Sequence, residues 1–312
     1  IENILFADFE CLPLDKVGEN KWFHIPIYCC VKRFTQTANG FECIEKQEFA
    51  GINTLQDTCT YLLRKEHHEH TVYFHNGRGY DFHFILKHLI ENGYKPSVTK
   101  TGGKIMSMTV FPPSDSGKRF RQQPVVYFHD SLLHFSAPLK TLPKTYGFEA
   151  TAVKGDFPHA FEIKFAEGTS NEDKINAYLA YQGPLPPLED YDPDRKMEKD
   201  RDELIKWHKE ESKKNLTWSY LEEMRKYCDA DVEVLGQAWL RYRAQCLATA
   251  RDGEYPMDPT HYPTVASLAM AEYTANHMPP GVFGYFPTHR TQASVSAIGY
   301  DWLNSLNIPG LL

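Results

Sequence analysis

An apolar run that ends in two acids, Ile4-Leu5-Phe6-Ala7-Asp8-Phe9-Glu10, constrains this chain more than any other feature. It reads as a short buried strand, and positions i and i+2 of a strand point to the same face. Asp8 and Glu10 therefore converge on one point. Two further acids stand at readable places. Asp81 follows Asn76-Gly77-Arg78-Gly79-Tyr80, and Asp231 lies four residues after Tyr227 in a stretch from Tyr220 to Leu235 whose pattern is helical. Residues i and i+4 of a helix stack on one side, so Tyr227 and Asp231 share a face. Four carboxylates drawn together without matching cations would repel one another strongly, so the pattern makes sense if divalent cations fill the site. Two-metal phosphoryl chemistry, that of a nuclease, is the reading that follows.

The length of 312 residues suits one or two domains with a sizeable core, and 24% charged with 42% hydrophobic residues is an ordinary globular balance. No apolar run approaches the ~20 residues a membrane span requires, and no secretory leader is visible. Ile1 at the start and Pro309-Gly310-Leu311-Leu312 at the end read as the limits of a piece of something longer. Seven cysteines, with Cys29 and Cys30 adjacent and no Cys-x-x-Cys, argue against a disulfide framework or a zinc ribbon and fit a reducing intracellular compartment. The net charge of −7 at first disfavours nucleic acid as a partner. Its distribution weakens that objection, because cations gather at Lys95, Lys100, Lys104, Lys118, Arg119 and Arg121 while acids concentrate between Glu189 and Glu203. The plainer reading of Lys118 to Arg121 is a solvated hairpin loop.

Strand patterns at Phe23 to Lys32 and Gly40 to Phe49 extend the first strand into a three-strand meander. A helical stretch from Asn53 to Glu66 leads to a strand at Thr71 to Asn76 and a helix from Asp81 to Asn92, which places Asn76 and Asp81 at the mouth of a crossover. Strand-like runs follow at Ile105 to Phe111 and Val125 to Phe128, then a short helix near Pro138 to Tyr146. Residues from about 155 to 218, rich in proline and charge, read as a long, partly helical insertion, with a flexible linker as the alternative. The helix bearing Asp231 closes the unit, and Thr264 to Ala275 looks helical without a sheet of its own. This order is that of a ribonuclease-H-like α/β fold, a mixed sheet with flanking helices.

Asp8-x-Glu10, Asn76-x-x-x-Tyr80-Asp81 and Tyr227-x-x-x-Asp231 resemble the three motifs of the DEDD-type 3′→5′ exonuclease domain of family B DNA polymerases, in the subclass with tyrosine in the third motif. Within that family the chain is most similar to the protein-primed polymerases of Polinton/Maverick transposons, virophages and linear plasmids. Phe74-His75-Asn76, Asp130-Ser131-Leu132, Lys154-Gly155-Asp156-Phe157-Pro158-His159, Gly183-Pro184-Leu185-Pro186, Tyr227-Cys228 and Thr264-Val265-Ala266-Ser267 carry that likeness over nearly the whole chain. The polymerase motifs Asp-x-x-Ser-Leu-Tyr-Pro and Tyr-x-Asp-Thr-Asp are missing, so no polymerase active site is expected within these residues. The resemblance implies an exonuclease domain over residues 1–250, with 251–312 as the start of a truncated polymerase domain or a helical C-terminal extension.

The same resemblance implies roles. Asp8 would bridge two Mg²⁺ or Mn²⁺ ions, Glu10 and Asp231 would complete one, and Asp81 would hold the other directly or through water. Tyr227 would orient the attacking water. Asn76, Tyr80 and Phe84 would contact a single strand, with Phe84 equally explicable as core. Ser131 would offer a hydroxyl to phosphate and Leu132 an apolar wedge at the terminal pair. The family also places a lysine before the third motif, and neither Lys206 nor Lys209 can be matched to it. Single-stranded DNA or a frayed 3′ end is the implied partner, with terminal protein as a further one, in the nucleus or at a viral replication site. The alternatives are a stand-alone exonuclease of the same fold acting on RNA or in DNA repair, and a non-catalytic module that grips DNA or terminal protein. His67-His68-x-His70 reads as a solvated loop, Thr101-Gly102-Gly103-Lys104 lacks phosphate-loop spacing, and Asp229 and Glu233 should face away from Asp231.

Overall fold

Alternating apolar residues in the first fifty positions build a meander of long antiparallel strands, β1 (Ile4–Gly18), β2 (Lys21–Thr37) and β3 (Gly40–Ala50). The computed structural model describes residues 3–18, 21–38, 40–112, 124–149 and 156–279. Helix α1 (Thr54–Leu62) leads to β4 (His70–Phe74), which is buried throughout and pairs with β1 in parallel. Helix α2 (Asp81–Glu91) then crosses to the hairpin of β5 (Ser97–Thr101) and β6 (Lys104–Val110), followed by β7 (Val126–Asp130), parallel to β4. The result is one seven-stranded mixed sheet in the order β3-β2-β1-β4-β7-β6-β5, the mixed sheet with flanking helices expected from the sequence. Strand β5 is an addition to that expectation. Its sequence, Ser-Val-Thr-Lys-Thr, is mostly exposed on the sheet edge and so carries no apolar alternation to read.

Strand β1 separates the two halves of the core. Leu5, Ala7 and Phe9 pack on the layer that contains Cys59 and Leu62 of α1 and Phe82, Ile85 and Leu89 of α2. Ile4 and Phe6 face the opposite layer, with Cys228, Val232, Leu235 and Trp239 of the long helix α6 (Tyr220–Ala248). Because the period is two, Asp8 and Glu10 continue the α6 face. Helices α3 (Leu142–Tyr146), α4 (Asn171–Ala180) and α5 (Glu198–Lys213) and a two-stranded ribbon of β8 (Gln182–Gly183) and β9 (Trp218–Ser219) fill the stretch before α6. Phe157, Ile175, Tyr178 and Trp218 from this stretch are buried in the same cluster as α6, so it packs rather than dangles. Beyond α6, α7 (Val265–Glu272) starts with a capping box in which Thr264 and Ser267 bond each other's backbone. The basic residues Lys118, Arg119 and Arg121, the Lys154-Gly155 pair and residues 280–312 lie outside the described residues.

The histidine cluster departs from expectation. His67 and His70 are buried, not solvated: a single 3₁₀ turn at Lys65–His67 folds back so that His67 Nδ1 bonds the Tyr61 carbonyl oxygen at 2.8 Å and its ring stacks edge-on against Tyr61. On β7, burial pushes the His129 imidazole down to about 4, with the charge of His134 adding to the effect. A histidine whose folded pKa is depressed stabilises fully above its unfolded value, ~6.5, and loses that stability as pH falls toward the folded value. Urea unfolding of the wild-type protein is therefore expected to lose about 2 kcal/mol more than that of His129→Gln between pH 7 and pH 5. Equal losses in the two proteins would assign the acid sensitivity elsewhere.

Candidate active site

The site forms where the parallel pairing of β1 and β4 stops. The β1–β4 register ends at Phe6 opposite Tyr73, while β1 continues along β2 with Asp8 opposite Cys30 and Glu10 opposite Tyr28. Beyond Phe74 the chain turns away through Asn76, which holds a left-handed conformation with φ 64°. Such a φ is reached by asparagine more readily than by most residues. Gly77 then passes so close to the strand that an added Cβ would come within 2.8 Å of Phe74 Cβ and of the Phe82 ring. This departure leaves the Phe9 amide uncovered by β4, and the Asp81 carboxylate accepts its N–H.

Three motifs thus reach one edge from different layers. Asp8 and Glu10 offer carboxylate oxygens on the α6 face, and Cys228 Sγ, one residue after Tyr227, donates to the Asp8 carbonyl oxygen at 3.5 Å. Among the described residues, one atom each from Asp8, Glu10 and Cys228 lies within 4.8 Å of the others. Asp231 is buried three residues past Cys228, on the same side of α6. Among the described residues, neither Asp81 nor Asp231 belongs to this tight group. Asp81 is only 4% exposed, and its Oδ1 has no hydrogen-bond partner among the described residues. Burial pushes its carboxyl up to about 7, the charge of Asp130 pushes the same way, and the backbone N–H groups of Asp81 and Phe9 counteract it. A buried, incompletely bonded carboxylate is costly to keep charged unless a cation offsets it. The Cys228 thiol is held well above its ordinary pKa, first by burial and then by Asp8 and Glu10.

Asp229 and Glu233 face away, as expected. Asp229 pairs with Lys32 at 3.1 Å and with Lys46 at 2.6 Å, and Glu233 pairs with Lys32 at 2.8 Å. The Tyr227 ring packs against Phe157 and edge-on against His159, with centroids 5.8 and 5.6 Å away. The aromatic pair of the second motif is partly exposed: the Tyr80 hydroxyl bonds His24 Nδ1 at 2.7 Å, and Phe84 meets the Tyr80 ring edge-on at 5.1 Å. Phe84 is not core, since Phe82, Ile85 and Leu89 take the buried face of α2. Asn76 is exposed and Leu132 partly so. Ser131 differs from expectation. It is fully buried, its hydroxyl donating to the Phe74 carbonyl oxygen at 3.1 Å and meeting His75 Nδ1 at 2.9 Å, so it fastens β7 to the end of β4 instead of facing a phosphate.

The residue that organises this corner received no role from the sequence. Asp130, the last residue of β7, is fully buried and accepts the backbone N–H groups of Asn76 and Leu132 on Oδ1, both at 2.9 Å, and that of Arg78 on Oδ2 at 3.1 Å. It thereby ties the second motif to Ser131-Leu132. The signal available was its place directly after an apolar strand and before a Ser-Leu turn, the position of an N-cap.

A protein-family profile described as DNA polymerase type B, organellar and viral, matches residues 63–295, well over half of the chain. The chain belongs to that family of DNA polymerases. A probable DNA polymerase of Neurospora intermedia is 28% identical over 221 residues, which are 70% of this chain and 20% of that protein. Among solved structures, Phi29 DNA polymerase complexed with single-stranded DNA is similar at 16% identity and a TM-score of 0.42, over 78% of this chain and 32% of that one. Its ternary complex with primer-template DNA and incoming nucleotide is similar at 15% identity and a TM-score of 0.41. This type B polymerase chain therefore spans one fifth of the Neurospora relative and about one third of the Phi29 enzyme.

Proposed function

We propose that the chain is the 3′→5′ exonuclease portion of a protein-primed family B DNA polymerase, hydrolysing the terminal phosphodiester of a single-stranded or frayed DNA 3′ end as a proofreading step. The observation that carries this reading is the gathering of Asp8 and Glu10 where β4 stops pairing with β1, together with a buried Asp81 whose Oδ1 has no hydrogen-bond partner among the described residues. The donor set fits Mg²⁺ or Mn²⁺, since these ions take hard oxygen ligands and the carboxylates supply the opposing charge. Asp8, Glu10 and Asp231 would hold one ion, and Asp8 with Asp81 the second. When bound, such ions supply Lewis-acid stabilisation of the charge that develops on the attacking and leaving oxygens.

The protein's own side chains do the rest. Tyr227, whose ring packs against Phe157 and His159, would hold a water in line with the scissile bond through its phenol. Tyr80, braced by His24 and Phe84, offers a ring on which a frayed base can stack, and Leu132 presents an apolar edge to the terminal pair. Asn76 at the turn completes the strand contacts. Terminal protein is a further partner on this reading, which places the protein in the nucleus or at a viral replication site. No helix among the described residues is long and apolar enough to cross a membrane.

The direct test is release of 5′-mononucleotides from single-stranded DNA in Mg²⁺ or Mn²⁺ and its loss in EDTA. Release unaffected by chelation would overturn the metal reading. Binding to inactive protein gives a separate check. Tyr80→Ala is expected to weaken single-strand affinity by ~1 to 3 kcal/mol while leaving the slope of log affinity against log salt unchanged, because stacking moves no counterions. Unchanged affinity would return Tyr80 to a role in packing alone.

A further inference from the structure

Helix α6 carries two acids, Asp229 and Glu233, that the proposed chemistry does not use. Both meet Lys32 of β2, a lysine only 4% exposed. Its Nζ lies 3.1 Å from the Asp229 carboxylate and 2.8 Å from that of Glu233, and it donates to the Asp229 carbonyl oxygen at 3.3 Å. Lys46 of β3 stands directly opposite Lys32 in the sheet and reaches the same Asp229 at 2.6 Å. Like charges facing each other across strands are unfavourable, so Asp229 is the group that lets the two lysines stand together. One turn earlier on α6, Arg225 lies 3.2 Å from Glu48, which pairs with Lys46 at 3.3 Å. A ladder of alternating charge thus joins helix positions 225, 229 and 233 to the strands.

The strand side of this ladder is in register with the first motif. Lys32 stands opposite Phe6 and Cys30 opposite Asp8, and Glu48 stands opposite Cys30 on the next strand. On the helix side, at about 100° per residue, the stripe of Cys228, Val232, Leu235 and Trp239 faces the core, with the ladder residues along one flank and Tyr227 and Asp231 along the other. Apolar burial is non-directional and specifies the roll of a helix weakly. Buried ion pairs add little net stability but favour one arrangement, because a roll that parted them would leave Lys32 charged and uncompensated. We infer that Lys32 is a positioning residue for the proposed exonuclease: by holding Asp229 and Glu233 it sets the roll of α6 over the sheet, and with it where Tyr227 and Asp231 stand relative to Asp8 and Glu10. The inference rests on the proposed function for what the positioned groups do.

The double variant Lys32→Met with Glu233→Met tests it. The exchange removes one charge of each sign, so the field at the carboxylates changes little, and it leaves the bridge between Asp229 and Lys46 in place. Urea unfolding should find the variant as stable as the wild type, since apolar replacement of a buried ion pair is often neutral. Mn²⁺ affinity in protein without DNA, read by calorimetry, should nevertheless weaken by on the order of tenfold or more. In nucleotide release, kcat should fall while KM for single-stranded DNA stays unchanged. A metal-independent probe is Trp239, which lies on α6 with its ring 3.9 Å from that of Tyr73. With 5-fluorotryptophan at the five tryptophans, its ¹⁹F resonance, assigned through Trp239→Phe, should shift in the double variant. Unchanged Mn²⁺ affinity, or a Trp239 resonance at its wild-type position, would overturn the inference. Lys32→Gln decides if the double variant does not fold: losing a cation alone would tighten Mn²⁺ binding, whereas a changed roll weakens it, and unchanged or tighter binding would again overturn the inference. A wild type that neither binds Mn²⁺ nor releases nucleotides would instead sink the nuclease reading, and the Trp239 resonance would then decide whether Lys32 sets the roll.

Discussion

Asp8→Ala is expected to slow release of 5′-mononucleotides by on the order of a thousandfold or more. The carboxylate belongs to the tight group, so on the proposed function its loss would remove an ion and with it several kcal/mol of transition-state charge stabilisation. Asp231→Ala should fall in the same range, because on the proposed function it would remove a ligand of the same ion. Tyr227→Phe should cost much less, since only the placing of water suffers. Single-turnover rates at saturating Mg²⁺ read all three, and thermal unfolding without metal checks that each variant folds. Equal losses in the three would mean that Tyr227 does something other than position water.

The second large effect falls on stability. Asp130→Ala leaves the backbone N–H groups of Asn76, Arg78 and Leu132 without their acceptor and removes the carboxylate that faces the Arg78 guanidinium at 3.6 Å. Removing one partner of a buried charged network costs about 3 to 5 kcal/mol. Urea denaturation should show that loss. Asp130→Asn should cost less, because an amide oxygen in the place of Oδ1 can still accept from Asn76 and Leu132 while Arg78 N–H loses its partner. If Asn and Ala are equally destabilised, the charge matters more than the amide bonds. Because this corner also sets where Asp81 stands, single-strand binding should weaken in both variants along with stability.

What the sequence by itself determined is what depends on local spacing. Two residues apart on a strand, Asp8 and Glu10 must share a face. Four apart on a helix, Tyr227 and Asp231 must as well, and Asp229 and Glu233 must not, which the pairing with Lys32 and Lys46 bears out. The order of apolar runs likewise specified the meander, the crossover and the late helix, because periods of 2 and 3.6 are written residue by residue. The edge strand Ser97–Thr101 escaped, having no buried face to impose a pattern. The tertiary structure decided everything that joins distant segments. That Asp81, from the opposite layer, reaches the Phe9 amide follows from β4 stopping at Phe74, a fact of strand pairing and not of local sequence. The same holds for Asp130 gathering three amides and for Ser131 turning its hydroxyl inward. It holds too for the Cys228 thiol lying beside Asp8, 220 residues away in sequence. Such contacts depend on how layers of a sheet and its helices are stacked, and burial in that stack, rather than residue type, sets the charge state and the partner of each group.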